Sequence, residues 1–139
     1  MKFSLTNFMK KILIIEDDKF LRELIAQKLL KENYDISEAV DGEEGLKKSL
    51  AEHPDLILLD IRMPKMDGMT MLKLLRQDPW GKDAKVIILT NLDPLGTILQ
   101  GVVKDNPTYY LIKASTKFED VLEKIREILE KPEQNAEPQ

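Results

Sequence analysis

The chain contains no cysteine, which excludes disulfides, thiol nucleophiles and cysteine-ligated zinc. Histidine occurs once, as His53, so a histidine-rich metal centre is excluded as well. Placed before Pro54 at a helix-to-strand junction, His53 reads as a surface or turn residue. No apolar run approaches the ~20 residues a membrane-spanning helix needs. Residues 1–9 lack both the long apolar segment and the small-residue cleavage site of a signal peptide, and read as a short N-terminal extension. A basic excess is missing too: 21 Lys and Arg stand against 25 Asp and Glu, a net charge of −4. Direct nucleic-acid binding would need a cationic patch. With neither membrane nor nucleic acid as a direct partner, a soluble cytoplasmic protein is expected.

What is present suits one domain. A chain of 139 residues, 42% hydrophobic, can build a core without staples. Short apolar runs alternate with amphipathic segments. Strands are predicted at 11–15, 34–39, 56–59, 85–90 and 108–112. Helices are predicted at 19–32 (Leu21, Leu24, Ile25 and Leu29 inward), 42–52 (Leu46 and Leu50 inward), 69–76 and about 95–104. A last helix runs from a Ser115 cap through about 130. Asp18 and Asp67 read as a helix cap and a turn former, and Asp41-Gly42 as a turn. Residues 10–131 thus form the domain, and the polar, proline-containing residues 132–139 read as a disordered tail. Five strands alternating with five helices call for a doubly wound, flavodoxin-like α/β fold. The expected parallel sheet has strand order 2-1-3-4-5, with helices on both faces.

That topology places chemistry at one edge. Strand 1 ends in Glu16-Asp17-Asp18, strand 3 in Asp60, strand 4 in Thr90 and strand 5 in Ile112-Lys113. Ligands bind at the carboxyl ends of such strands. Clustered acids suit a hard cation such as Mg²⁺, which keeps waters and partners phosphate oxygens. An ionised Asp can attack phosphorus to form an acyl phosphate. Lysine and a hydroxyl can hold the phosphoryl oxygens left free.

The stretches Lys11-Ile12-Leu13-Ile14-Ile15-Glu16-Asp17-Asp18, Asp55 through Gly68, Val86-Ile87-Ile88-Leu89-Thr90 and Tyr110-Leu111-Ile112-Lys113 together resemble the receiver domain of two-component response regulators, over residues 10–131. The resemblance implies Asp60 as phosphoacceptor. It implies a Mg²⁺ site made of Asp17 directly, Glu16 through water, Asp60 and the Arg62 backbone carbonyl. Thr90 becomes the switch hydroxyl, Tyr110 the coupled aromatic switch and Lys113 the phosphate-binding lysine. The partners implied are a histidine kinase or phosphotransfer protein as donor, and a downstream protein or a second copy of the chain. The latter would dock on the face of the 95–104 helix, strand 5 and the last helix. Such a protein promotes only its own phosphorylation and dephosphorylation and is no turnover enzyme. The chain departs from the family at Ala114, where a cis-bond proline is typical, and at Asn91, where a small residue is usual.

Three rivals stand beside this reading. A phosphorylation-independent receiver-like interaction module would use the same fold. A flavodoxin-like nucleotide binder would want an anion-binding turn after strand 1, where Glu16-Asp17-Asp18 is the electrostatic opposite. An Asp-nucleophile phosphatase would want a second acid two residues after the nucleophile, where Arg62 stands.

Overall fold

Ile12–Ile15 and Leu56–Leu59 are unbroken runs of branched aliphatic residues, the composition of strands covered on both sides. They occupy the middle of the sheet. The computed structural model describes residues 9–61, 63, 65–90, 109–112 and 117–130, with 90 and 109–112 described by their backbone. Strands β1 (Lys11–Ile15), β2 (Asp35–Ala39), β3 (Leu56–Leu59), β4 (Val86–Thr90) and β5 (Tyr109–Ile112) form one parallel sheet in the order β2-β1-β3-β4-β5. This is the predicted flavodoxin-like order. Among the described residues, helices α1 (Lys19–Leu30), α2 (Gly42–Glu52), α3 (Gly68–Arg76) and α4 (Phe118–Glu130) are accompanied by a 3-10 turn at Gly81–Asp83. The N-terminal extension up to residue 8, the 95–104 helix, the Ser115 cap, Asn91, the Lys113-Ala114 bond and the tail lie outside the described residues. Among the described residues, no helix is long and apolar enough to cross a membrane.

Alternation along the strands feeds two cores. Ile12, Ile14, Leu56, Leu58, Ile87 and Leu89 face α1 and α4, which contribute Ile25, Leu29, Val121, Leu122 and Ile125. Leu13, Ile15, Ile57, Leu59, Val86 and Ile88 face the other way, where α3 brings Met71, Leu72 and Leu75. Each fully buried Leu or Ile contributes about 2 kcal/mol. The methionines Met63, Met66 and Met69 pack at the rim of this second core, as expected of gap-filling side chains.

Three aspartates start the first three helices. Asp18, Asp41 and Asp67 accept the amides of Leu21, Glu44 and Thr70 at 3.2, 2.8 and 2.8 Å. Asp18 and Asp67 are thus structural, as read. Asp41 does more than turn the chain, since Glu44 reaches back to accept the Val40 amide at 2.8 Å. At the C-terminus of α2, His53 takes a left-handed φ of 50°. Its ring stacks on Trp80, with centroids 4.3 Å apart. This is the surface turn role anticipated for His53.

Two helix faces differ from their periodicity. Leu24 and Leu50 are exposed instead of buried. On α1 the inward position goes to Arg22, because its guanidinium reaches the buried Glu16 carbonyl and the half-exposed Glu38 carboxylate. On α2 the inward face is Gly42, Gly45 and Ser49, small enough to bring the helix against Ile15. The Ser49 hydroxyl donates to the Gly45 carbonyl at 2.7 Å, so its burial carries no unmet polar group.

The turn between α1 and β2 is tied to α4. Arg126 pairs with Glu32 at 2.8 Å, and the buried Tyr34 hydroxyl donates to Glu130. Burial first, and that hydrogen bond second, push the Tyr34 phenol well above its ordinary 10.0. The unfolded chain gives up this proton near pH 10 while the folded chain keeps it, so stability falls as pH rises from there. Tyr34→Phe is expected to cost about 1 kcal/mol at neutral pH and to flatten the alkaline loss. Urea midpoints of parent and variant between about pH 8 and 11 check this, and parallel alkaline slopes would refute it.

Candidate functional site

The pairing of β1 with β3 ends at Ile15 opposite Leu59, so Glu16 and Asp60 leave the ladder side by side. The Asp60 amide donates to the Ile15 carbonyl and the Glu16 amide to the Ala39 carbonyl, each at 3.1 Å. Both residues continue the alternation of Ile14 and Leu58, so both lie on the α1 side of the sheet. Beneath them Ile14, Ile25, Leu58 and Leu89 form an apolar floor.

Glu16 is 4% exposed and Asp60 7%, while Asp17 stands in solvent. One carboxylate oxygen from each of the three lies within 4.8 Å of the others. At an effective dielectric of ~20, the buried pair would repel by on the order of 3 kcal/mol at such a separation. A divalent cation between them turns that repulsion into attraction. Three hard oxygen donors, one of them solvent-facing so that waters can complete the shell, fit Mg²⁺ well.

The segment after Asp60 is fixed by close backbone approaches. The Gly68 amide donates to the Ile61 carbonyl at 2.7 Å, and a Cβ on Gly68 would sit 2.2 Å from the Asp60 carbonyl oxygen. The Gly42 amide donates to the Met66 carbonyl at 2.9 Å, and a Cβ there would meet that oxygen at 2.2 Å. Between these points Lys65 adopts a left-handed φ of 62°, and its ammonium lies 3.8 Å from Asp41. The turn before α2 and the loop after β3 thus brace one another and present Asp60 on a rigid base.

Of the residues expected at the site, the structure brings together Glu16, Asp17 and Asp60. The Thr90 backbone ends β4, in register with Ile112, at the same edge of the sheet as the acids. The Tyr110 backbone lies within β5 opposite Ile88. Arg62 and Lys113 lie outside the described residues.

Sequence reasoning missed Arg22. Buried on α1, it donates through Nη1 to the Glu16 carbonyl at 2.8 Å and through Nε to Glu38 Oε1 at 3.0 Å. The available signal was an arginine one turn after the acids, on a helix otherwise apolar on that side.

Comparison with known proteins agrees with this geometry. The family model described as the response regulator receiver domain matches residues 12–126. Response regulator PleD of Caulobacter vibrioides is 31% identical over 128 residues, covering 84% of this chain and 28% of that protein. The DNA-binding dual master transcriptional regulator RpaA of Synechocystis is 35% identical over 121 residues, covering 87% of this chain and 49% of that protein. The chain therefore spans between about a quarter and a half of these curated relatives. Among solved structures, a CheY-like response regulator receiver domain protein from Methanospirillum hungatei superposes with a TM-score of 0.82 at 30% identity, covering 91% of this chain and 98% of that one. The chemotaxis response regulator CheY4 of Vibrio cholerae gives 0.78 at 27% identity, covering 87% and 99%. With the acids on adjacent strand ends, the 2-1-3-4-5 sheet and the family match all concurring, the chain belongs to the receiver domain family of two-component response regulators.

Proposed function

We propose that the chain is a phosphorylatable receiver in which Asp60 accepts a phosphoryl group from a phosphohistidine of a kinase or phosphotransfer protein. The observation that supports it above all is the convergence of Glu16, Asp17 and Asp60 on adjacent strand ends. An Asp60 carboxylate oxygen forms a bond to phosphorus as the phosphorus–nitrogen bond breaks, and the imidazole leaves with the electron pair. Asp60 is held in place for this by the hydrogen bond its amide donates to the Ile15 carbonyl of β1 and by the brace around Gly68.

Glu16, Asp17, Asp60 and the Arg62 carbonyl would hold Mg²⁺. When bound, it supplies charge neutralisation and orientation for the phosphoryl oxygens. Thr90, the last residue of β4, and Lys113, next in sequence after β5, are assigned the remaining oxygens. Thr90 then acts as the switch, with Tyr110 coupled to it. Their repositioning biases the face of β5 and α4 toward a downstream protein or a second copy of the chain. The protein works in the cytoplasm and promotes only its own phosphorylation and hydrolysis.

The test is intact-protein mass after incubation with a small phosphodonor, with and without Mg²⁺. A Mg²⁺-dependent gain of one phosphoryl group is expected, labile to hydroxylamine as an acyl phosphate and mapping to the peptide that contains Asp60. A folded, Mg²⁺-binding protein that gains nothing would instead favour the phosphorylation-independent interaction module.

A further inference from the structure

Burying an arginine is costly unless its charge is paired and its donors are satisfied. Arg22, 8% exposed, is the one cation among the buried polar residues described. Its two bonds diverge: Nη1 goes to the Glu16 carbonyl at 2.8 Å, and Nε to Glu38 Oε1 at 3.0 Å. A planar guanidinium holds two such acceptors at a fixed angle, which an ammonium does not. The Glu16 carbonyl belongs to the peptide that joins Glu16 to Asp17, so its tilt sets where both carboxylates point. The strand fixes this unit from the other side, through the Glu16 amide and Ala39. Glu38 is itself anchored, because Lys48 donates to its carbonyl at 2.5 Å. A competing contact is present as well: the Asp18 amide donates to Glu16 Oε2 at 3.1 Å, which draws that carboxylate toward its own turn.

We propose that Arg22, held by Glu38, is a positioning residue for the divalent-cation site, acting through the Glu16–Asp17 peptide. The inference rests on the reading of Glu16, Asp17 and Asp60 as that site. It makes an exposed-edge residue of β2, which is outside the acidic cluster, a determinant of cation affinity. It also separates from a role of Arg22 as mere positive charge. Charge alone would repel the cation, so its removal would tighten binding, and Arg22→Lys would change nothing. Positioning predicts weaker binding in both Arg22→Lys and Arg22→Met.

The experiment is a Mg²⁺ titration by calorimetry and backbone amide shifts, without phosphodonor, on the parent, Arg22→Lys, Arg22→Met, Glu38→Ala and the Arg22→Met/Glu38→Ala double variant. Both arginine variants are expected to bind about 10-fold more weakly. Glu38→Ala should bind several-fold more weakly, and the double variant no more weakly than Arg22→Met alone. Glu38 is half-exposed, so its variant keeps the test alive where Arg22→Met does not fold. Parent-like or tighter binding by Arg22→Lys and Glu38→Ala overturns the positioning role and leaves the site reading intact. A folded parent that binds no Mg²⁺ overturns both.

Discussion

Asp60→Asn should leave a folded protein that gains no phosphoryl group under conditions where the parent gains one. Asparagine is close to aspartate in size, and the hydrogen bond from the amide of position 60 to the Ile15 carbonyl is a backbone interaction that the change does not touch. What disappears is the chemistry. A carboxamide oxygen carries no ionised electron pair for attack on phosphorus, and the cluster drops from three carboxylates to two. Intact mass with and without Mg²⁺ reads the outcome, with the amide spectrum as the check on folding. Retention of a Mg²⁺-dependent gain would move the acceptor to Glu16 or Asp17 and reject the assignment of Asp60.

Gly68→Ala should cost about 3 kcal/mol and slow phosphorylation as well. Glycine is required here by space and not by dihedral angle, since no described glycine has positive φ. The added methyl would lie 2.2 Å from the Asp60 carbonyl oxygen and 2.8 Å from Ile61 Cα. Both are backbone atoms of the segment that carries the acceptor, so relief of the clash must move Asp60. Gly81→Ala is the matched control. Its methyl would lie 2.1 Å from the Leu75 carbonyl oxygen, an equally hard contact, but at the opposite edge of the sheet. Urea midpoints of both variants should fall by about 1 M or more. Only Gly68→Ala should also lower the phosphorylation rate of the folded fraction. Equal rates in the two variants would mean that the brace around Gly68 serves stability alone.

The sheet was legible because its strands are written in one alphabet. Ile12–Ile15 and Leu56–Leu59 are apolar on both faces, which only a central parallel strand requires. The adjacency of β1 and β3 then follows from topology, and with it the meeting of Glu16 and Asp60. The helix faces were less legible because apolar periodicity ignores polar residues that bury for a partner and small residues that bury for closeness. Arg22 displaces Leu24 from the inward position, since Glu38, its carboxylate partner, lies 16 residues further along the chain. Gly45 and Ser49 displace Leu50, since α2 approaches Ile15 more closely than a leucine would allow. Neither choice is visible within a single helical window.

The stacked pair of His53 and Trp80 has a practical corollary. Trp80 is the only indole in the chain, and it sits beyond the N-terminal ends of the strands, across the sheet from the acids. Its fluorescence is therefore expected to follow unfolding of the sheet and to change little on addition of Mg²⁺ or a phosphodonor, whose proposed site is at the far rim. On that expectation, denaturation curves recorded through this one fluorophore with and without Mg²⁺ can be compared directly.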